Sequence, residues 1–171
     1  APYLYSKLGF DPINDFTPVV SLCSIPNVMV VPSKSPWNSL KDIVDAAKKS
    51  PGDFTYGSAG IGGSQHLAGA QFKTAANIDI RHVPYKGSGP ATIDLLAGRV
   101  QVFFATIPTI LPYVETDRVN VLAITSEKRS PLFPNVPTAA EAGVPGFNLS
   151  TWWGIVAPAG TPQTIVKKLN E

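Results

Sequence analysis

The hydrophobic positions of the chain form short segments that alternate between the period of a β-strand and that of an α-helix. Apolar runs bounded by turn residues predict strands at 17–24, 27–33, 54–57, 78–83, 100–105, 119–125 and 150–157. Apolar residues spaced three and four apart predict helices at 40–49, 64–76, 90–97, up to about 113, at 138–143 and from 162. Strands alternating with helices imply an α/β fold with a mostly parallel sheet covered on both faces.

Several of these boundaries carry recognisable start and stop residues. Ser39 followed by Asp42 makes an approximate capping box for the helix at 40–49, and Pro51 lies just beyond its end. Thr161 before Pro162 predicts an N-cap and first-turn pair for the last helix. Pro26 is expected to separate the first two strands.

Two glycine-rich loops follow predicted strands and precede predicted helices. The segment FTYGSAGIGGSQHL at 54–67 contains four glycines, and the loop KGSGP at 86–90 repeats the arrangement after IDIRHVPY. Glycines let the backbone approach a ligand, while the first free N–H groups of the next helix point towards it. Ligands bind outside the carboxyl ends of parallel strands. The two loops therefore predict one anion site, although a plain strand-to-helix connection is an equally good explanation of either loop alone.

The loop at 58–65 is typical of neither a nucleotide site nor a nucleophile elbow. It lacks the Gly-Lys-Ser/Thr ending of a P-loop, and Gln65 stands where a dinucleotide motif needs a third glycine. His66 replaces the last glycine of a nucleophile elbow. The functional interpretation is a carboxylate pocket in which backbone N–H groups are joined by the hydroxyls of Ser58 and Ser64.

Other polar and aromatic residues near the loops have a structural and a functional interpretation. His66 is expected to orient the loop rather than to react, and His82 to be a structural histidine with a partner. Tyr85 either covers a ligand or donates its hydroxyl to one, and Lys86 is slightly better explained as a solvated surface residue. The pair Trp152 and Trp153 lines a cleft or packs in a core or lobe interface.

Composition narrows the possible functions. The 171 residues are 44% hydrophobic and 15% charged with a net charge of +2, without the basic block that nucleic acid binding needs. Apolar runs are too short to span a bilayer, and the first residues do not form a signal peptide. The single Cys23 leaves the compartment open. No catalytic set stands out and histidines without metal-spaced partners make a zinc site improbable, so neither a metal nor a cofactor is predicted.

Five sequence blocks, in this order and spacing, resemble one known family along nearly the whole chain. They are DFTPV, KSPGDFTYGSAGIGGSQHLAG, HVPYKGSGPATIDLLAGRVQVFFA, LAITSEKRSPLFPNVPTAAEAG and STWWGIVAPAGTP. The chain resembles the Bug-type, or TctC-like, extracytoplasmic solute receptors of bacterial tripartite tricarboxylate transporters.

The resemblance implies a type II periplasmic binding-protein fold, in which two α/β lobes close on a small carboxylated solute and hand it to a membrane permease. Such a protein is exported and performs no chemistry on the solute. The implied ligand-binding residues are Ser58, Ala59, Gly60, Gly62, Gly63, Ser64, His66 and Tyr85, with His66 bracing the loop.

The length of the chain suggests a fragment of such a receptor. Family members are roughly twice as long, so the expected organisation is a nearly complete second lobe at 28–120, flanked by incomplete pieces of the first lobe at 1–27 and 121–171. Weak solute binding is expected, and apolar surface left by missing strands is expected to favour a homodimer. Gln101, where the family often has an acidic residue, favours a plain carboxylate over an amino acid.

Two alternatives to a transport receptor remain open at this point. An α/β enzyme could act on a small anionic metabolite at the same loops, provided that a nucleophile or base lies within hydrogen-bond reach of them. A sensor domain could use the same lobe to detect a metabolite.

Overall fold

The computed structural model describes residue 4 and residues 7–171. Within them the elements follow in the order β1 (Phe16–Pro32), α1 (Leu40–Lys49), β2 (Thr55–Ser58), α2 (Ser64–Ala75), β3 (Arg81–Pro84), α3 (Ser88–Leu96), β4 (Val102–Thr106), α4 (Ile107–Val114), β5 (Val119–Ile124), β6 (Ser150–Pro158) and α5 (Gln163–Asn170). They form two compact units. One spans Ile25–Thr151, and the other contains the described residues up to Ser24 together with Trp152–Glu171.

The larger unit is built on a mixed sheet with the strand order β3-β2-β4-β1-β5. β2 is parallel to β3 and β4, as predicted, whereas β1 runs antiparallel to both β4 and β5. The direction of β1 could not be predicted, because its fully buried run Val28–Val31 is apolar on both faces whichever way the strand points.

Helices cover both faces of this sheet, which confirms the layered α/β arrangement. Successive residues of a strand point to opposite faces, so Met29 and Phe104 join one core while Val28 and Phe103 join the other. The first core is completed by α1 and α2, and the second by α3 and α4. The sheet is therefore rigidly packed on both sides of the strand ends that precede the glycine loops.

The first helix begins and ends where the sequence predicts. Ser39 has an extended backbone, its Oγ accepts a hydrogen bond from the N–H of Asp42 at 3.2 Å, and Asp42 Oδ2 accepts one from the N–H of Ser39 at 3.0 Å. These reciprocal bonds satisfy two of the donors that a helix start leaves open. The capping box is confirmed.

Three local predictions are wrong. The strands predicted at 17–24 and 27–33 form one strand, β1, because Pro26 precedes the first residue paired with β4 and its missing N–H costs that ladder nothing. The helix predicted at 138–143 is a single turn that Gly143 ends with a φ of +94°. Thr161 is not the cap of α5, since its hydroxyl donates to the Pro158 carbonyl and Pro162 takes the cap position.

The smaller unit consists of β6 paired with β1, together with α5. Val19, Ala157 and Val166 form its small core. Trp152 and Trp153 are 67% and 41% exposed, so within this unit they pack in no core. Cys23 is an exposed free thiol. None of the described helices is long and apolar enough to cross a membrane.

The unit Ile25–Thr151 extends beyond residue 120, because β5 and the turns after it pack on the same sheet. The assignment of 28–120 to one lobe of a longer receptor, and of 1–27 and 121–171 to another, stays a prediction.

Candidate functional site

The two glycine loops lie side by side at the carboxyl ends of β2 and β3. These strands are parallel neighbours, and their pairing continues past the last strand residues. The N–H of Tyr85 donates to the Ser58 carbonyl, and the N–H of Gly87 donates to the Ala59 carbonyl, both at 2.9 Å. The structure thus brings together the two helix N-termini that the sequence predicted to form one site.

Backbone conformation explains the glycines of the first loop. Gly60 has a φ of +152° and Gly62 a φ of +81°, a region that L side chains rarely adopt. Gly63 is the N-cap of α2 and has an extended backbone. The loop turns sharply and then feeds directly into the helix.

Side chains occupy several of the amides that were expected to bind an anion. The N–H of Gly60 donates to Ser58 Oγ at 3.2 Å, and the N–H of Gly62 donates to His66 Nδ1 at 3.0 Å. His66 therefore braces the loop by accepting a hydrogen bond from a loop amide. Neither of these two amides is available to a ligand in this conformation.

Gln65 was not among the predicted site residues, yet it connects both loops. Its side chain is buried; Oε1 accepts a hydrogen bond from the N–H of Ala59 at 2.6 Å, and Nε2 donates to Ser88 Oγ at 3.3 Å. One signal could have found it, because Gln65 precedes Ala68 and Phe72 by three and seven residues and so lies on the buried face of α2.

The open donors lie at the helix starts. The described residues include no acceptor for the N–H of Ser64, nor for the two amides that follow it in the first turn of α2, whereas Gly63 closes a tight turn that begins at Gly60. Ser88 and Gly89 begin α3 in the same way after Gly87, whose φ is +105°. The partial positive charges of two helix dipoles therefore meet at one edge of the sheet.

A stack of three rings supports the loop. The rings of His66 and His82 lie 4.0 Å apart at 15°, and the Tyr56 ring stacks on His82 at 5.0 Å. His82 Nε2 is 2.6 Å from Ser58 Oγ, which in turn donates to the Gly60 carbonyl at 3.0 Å. Burial, and next the charge of His66, lower the pKa of His82 to about 4, so that it is neutral at pH 7.

Tyr85 does not direct its hydroxyl to the loops. The hydroxyl donates to Asp94 Oδ2 at 2.8 Å, and Arg99 donates to the other carboxylate oxygen at 2.7 Å. Burial, and then the Asp94 carboxylate, raise the pKa of Tyr85 to about 12, while the hydrogen bonds from Tyr85 and Arg99 lower the pKa of Asp94. This hydroxyl is already committed, so a direct bond from it to a ligand would require a rearrangement.

Two further expectations can be compared with the structure. Lys86 is exposed, which agrees with its interpretation as a surface residue. Gln101 precedes β4, and its Oε1 accepts hydrogen bonds from the N–H and hydroxyl of Thr55 at the start of β2. It therefore lies at the opposite end of the sheet from the loops, and the expectation of a plain carboxylate over an amino acid stays a prediction. Among the described residues no cluster of histidine, cysteine and carboxylate side chains could hold a metal.

Ser58 and His82 form the one serine–histidine contact that bears on an enzyme interpretation. Ser58 is 0% exposed, its hydroxyl is bound within its own loop, and no described carboxylate bonds to His82. A hydrolytic serine needs an exposed oxygen and an oriented base. The pair is better suited to holding the loop than to attacking a substrate.

Comparison with known proteins assigns this chain to a receptor family. The family model described as "Tripartite tricarboxylate transporter family receptor", or TctC, matches residues 1–171. The "UPF0065 protein in tcbD-tcbE intergenic region" of Pseudomonas sp. (strain P51) is 41% identical over 169 residues, covering 98% of this chain and 50% of that protein. The chain spans about half the length of the first curated relatives that it matches.

Several solved structures have the same fold as this chain. "R. palustris Rpa4515 with adipate" is 40% identical with a TM-score of 0.91, over 98% of this chain and 56% of that one. "MatC (Rpa3494) from Rhodopseudomonas palustris with bound malate" is 33% identical with a TM-score of 0.87, over 98% and 57%. "Periplasmic binding protein BugD" is 33% identical with a TM-score of 0.88, over 99% and 56%. The predicted periplasmic binding-protein fold is confirmed, with coverage consistent with one lobe and part of the other.

Proposed function

Because the chain belongs to the TctC family of tripartite tricarboxylate transporter receptors, we propose that it acts in a periplasmic receptor that captures a small carboxylate-containing solute. The receptor closes two lobes on the solute and delivers it to the membrane permease of a tripartite tricarboxylate-type transporter. The family is described as a receptor family, one similar structure is a periplasmic binding protein, and two others were solved with the carboxylates adipate and malate.

The observation that carries this proposal is the pair of helix N-termini beside each other at the carboxyl ends of β2 and β3. Their first turns leave backbone donors open, and each helix dipole favours negative charge. A carboxylate has the charge and the acceptor oxygens that such donors need, and it requires no catalytic group.

The proposed binding residues are those predicted from the sequence, with roles refined by the contacts. Ser64 supplies an open backbone donor and Gly63 caps its helix, while Ser58, Ala59, Gly60, Gly62 and His66 shape the loop behind them. Tyr85 contributes its backbone and ring, since its hydroxyl is bound to Asp94. In the complete receptor, 28–120 would form the second lobe, and 1–27 and 121–171 would belong to the first.

Calorimetric titration tests the proposal directly. The 171-residue chain and the complete protein encoded by its gene are each titrated with adipate, with malate and with adipamide, the uncharged diamide of adipate. We expect the complete protein to bind at least one carboxylate and not adipamide, and the chain alone to bind weakly. A thermal-shift screen with further organic acids extends the search, because a ligand present at 100 times its Kd stabilises the fold by about 2.7 kcal/mol.

Three results would contradict the proposal. The first is a complete protein that binds no organic acid in either assay. The second is micromolar binding by the monomeric chain, which would remove the need for another lobe. The third is chemical conversion of a bound acid, detected by NMR, which would favour the enzyme alternative. Separately, a signalling domain in the same open reading frame would favour the sensor alternative.

A further inference from the structure

The Gln65 side chain joins the starts of two helices that face one site. Gln65 is the second residue of α2. Its Oε1 accepts a hydrogen bond from the N–H of Ala59, and its Nε2 donates to the hydroxyl of Ser88, the first residue of α3. A side chain on one helix thus fixes the first residue of the other. We propose that Gln65 is a positioning residue that sets the spacing of the two helix N-termini and thereby the affinity of the site for a carboxylate. This inference rests on the proposed function.

The contacts around Ala59 show why this link is stiff. The Ala59 carbonyl accepts the N–H of Gly87 from the second loop, while the Ala59 N–H is held by Gln65. Both polar groups of one residue are therefore used to connect α2, the first loop and the second loop. Gln65 is only 7% exposed, so water cannot readily replace either of its bonds.

The same link determines which amides a ligand meets. Because Gln65 occupies the Ala59 amide, an incoming carboxylate finds its open donors in the first turns of α2 and α3. If the link is lost, Ala59 gains a free N–H and Ser88 loses a donor, so the two helix starts can separate. Anion binding by preorganised donors weakens when their spacing is no longer fixed.

Three variants of the complete protein separate this role from a general loss of stability. Gln65→Leu removes both hydrogen bonds at similar volume. Gln65→Glu keeps an acceptor for the Ala59 N–H but introduces a negative charge under the anion site when ionised; when protonated, its hydroxyl can again donate to Ser88. Gln71→Leu is the matched control, since Gln71 is on the same helix and donates to the Gly146 carbonyl instead.

The readout is the affinity for adipate by calorimetry at pH 8 and pH 5, always as the ratio of variant to wild type. His66, His82, Asp94 and Arg99 are present in every variant, so a pH effect that all variants share largely cancels in this ratio. We expect Gln65→Leu to lose at least tenfold in affinity at both pH values and Gln71→Leu to stay within twofold of wild type. Gln65→Glu should lose at least tenfold at pH 8 and recover part of that loss at pH 5. Burial and the negative charge of bound adipate raise the pKa of the new carboxyl, against the opposite effect of the Ala59 N–H and the helix N-termini, and only the protonated carboxyl can donate to Ser88.

The outcomes are distinguishable. Binding by the wild type with Gln65→Leu within twofold of it overturns the positioning role and leaves the proposed function intact. A loss in Gln65→Glu that is equal at both pH values also overturns it, because a purely structural defect has no reason to follow the charge of the substituted group. If Gln65→Leu fails to fold, the Gln65→Glu profile decides alone. A wild type that binds no organic acid overturns the proposed function and this inference together.

Discussion

The sharpest stability prediction concerns Gly69, a buried glycine in the middle of α2. An ideal Cβ built on Gly69 would lie 2.0 Å from Tyr56 Cε2 and 2.4 Å from both Cδ2 and Cζ of the same ring. That ring is 3% exposed and lies between His82, at 5.0 Å, and Phe104, at 6.1 Å. The ring is therefore held by neighbouring rings on two sides, and a shift away from Gly69 would disturb that packing.

Two opposing effects set the magnitude for Gly69→Ala. Alanine in a helix interior is favoured over glycine by about 1 kcal/mol. Against this, an ordinary contact starts at 3.4 Å, so the Tyr56 ring would have to move by 3.4 − 2.0 = 1.4 Å. Overpacking of that kind costs about 3 kcal/mol, the upper part of the usual range. We expect Gly69→Ala to lower the free energy of unfolding by about 2 kcal/mol.

Urea denaturation followed by far-UV circular dichroism measures this change. Gly89→Ala is the control without a side-chain clash, because outside its chain neighbours and its own helix backbone no described atom lies within 4 Å of a Cβ there. Pro90 disfavours helical backbone at a preceding alanine, so the loss for Gly89→Ala should stay below about 1 kcal/mol and be smaller than that for Gly69→Ala. Tyr56→Ala combined with Gly69→Ala should show a favourable coupling of at least about 1 kcal/mol, since the smaller side chain removes the clash. A Gly69→Ala protein as stable as the wild type would contradict the expected clash with the Tyr56 ring.

Three further predictions follow from single contacts. Ser39→Ala removes the side-chain half of the α1 capping box and should cost about 1 kcal/mol in urea denaturation, whereas an unchanged midpoint would contradict the capping role. The pKa of His82 is about 4 in the folded protein and 6.5 in the unfolded chain. The contribution of His82 to stability is therefore fully present above pH 6.5 and is lost as the pH falls towards 4. For this half-buried group the loss should be about 2 kcal/mol in urea denaturation, and the His82→Phe variant should not show it. If the exposed Trp152 drives self-association, light scattering should detect a dimer of the 171-residue chain that Trp152→Lys converts to monomer, and a wild-type monomer at high concentration would exclude this.

The parts of the fold that the sequence predicts are those set by local chemistry. The start of α1 follows from Ser39 and Asp42, which are three residues apart and bond to each other's backbone. The loops before α2 and α3 follow from Gly60, Gly62 and Gly87, because glycine adopts positive φ values that other residues rarely adopt. The α/β layering follows from the periods of the apolar residues alone.

The parts that it does not predict depend on partners far along the chain. The antiparallel direction of β1 is decided by pairing with β4 and β5, about eighty and ninety residues later. His82 meets Ser58 across 24 residues, and Gln65 reaches Ser88 across 23. A short polar segment offers many such pairings, and only the packed sheet selects one of them. Hence the sequence predicts that the two loops and helix starts lie together, but not which loop amides are already bonded to side chains.

The donor inventory of the described site also limits how tightly it can bind on its own. A helix N-terminus stabilises a nearby negative charge by about 0.3–1 kcal/mol when exposed and by up to about 2 kcal/mol when partly buried. Two of them, at α2 and α3, therefore supply at most about 4 kcal/mol, which corresponds to a Kd near or above about 1 mM. Micromolar capture requires roughly another 4 kcal/mol, which under the proposed function must come from desolvation and contacts on a facing lobe. Because side chains already hold the amides of Ala59, Gly60 and Gly62, the described loop has few reserves with which to supply that difference itself.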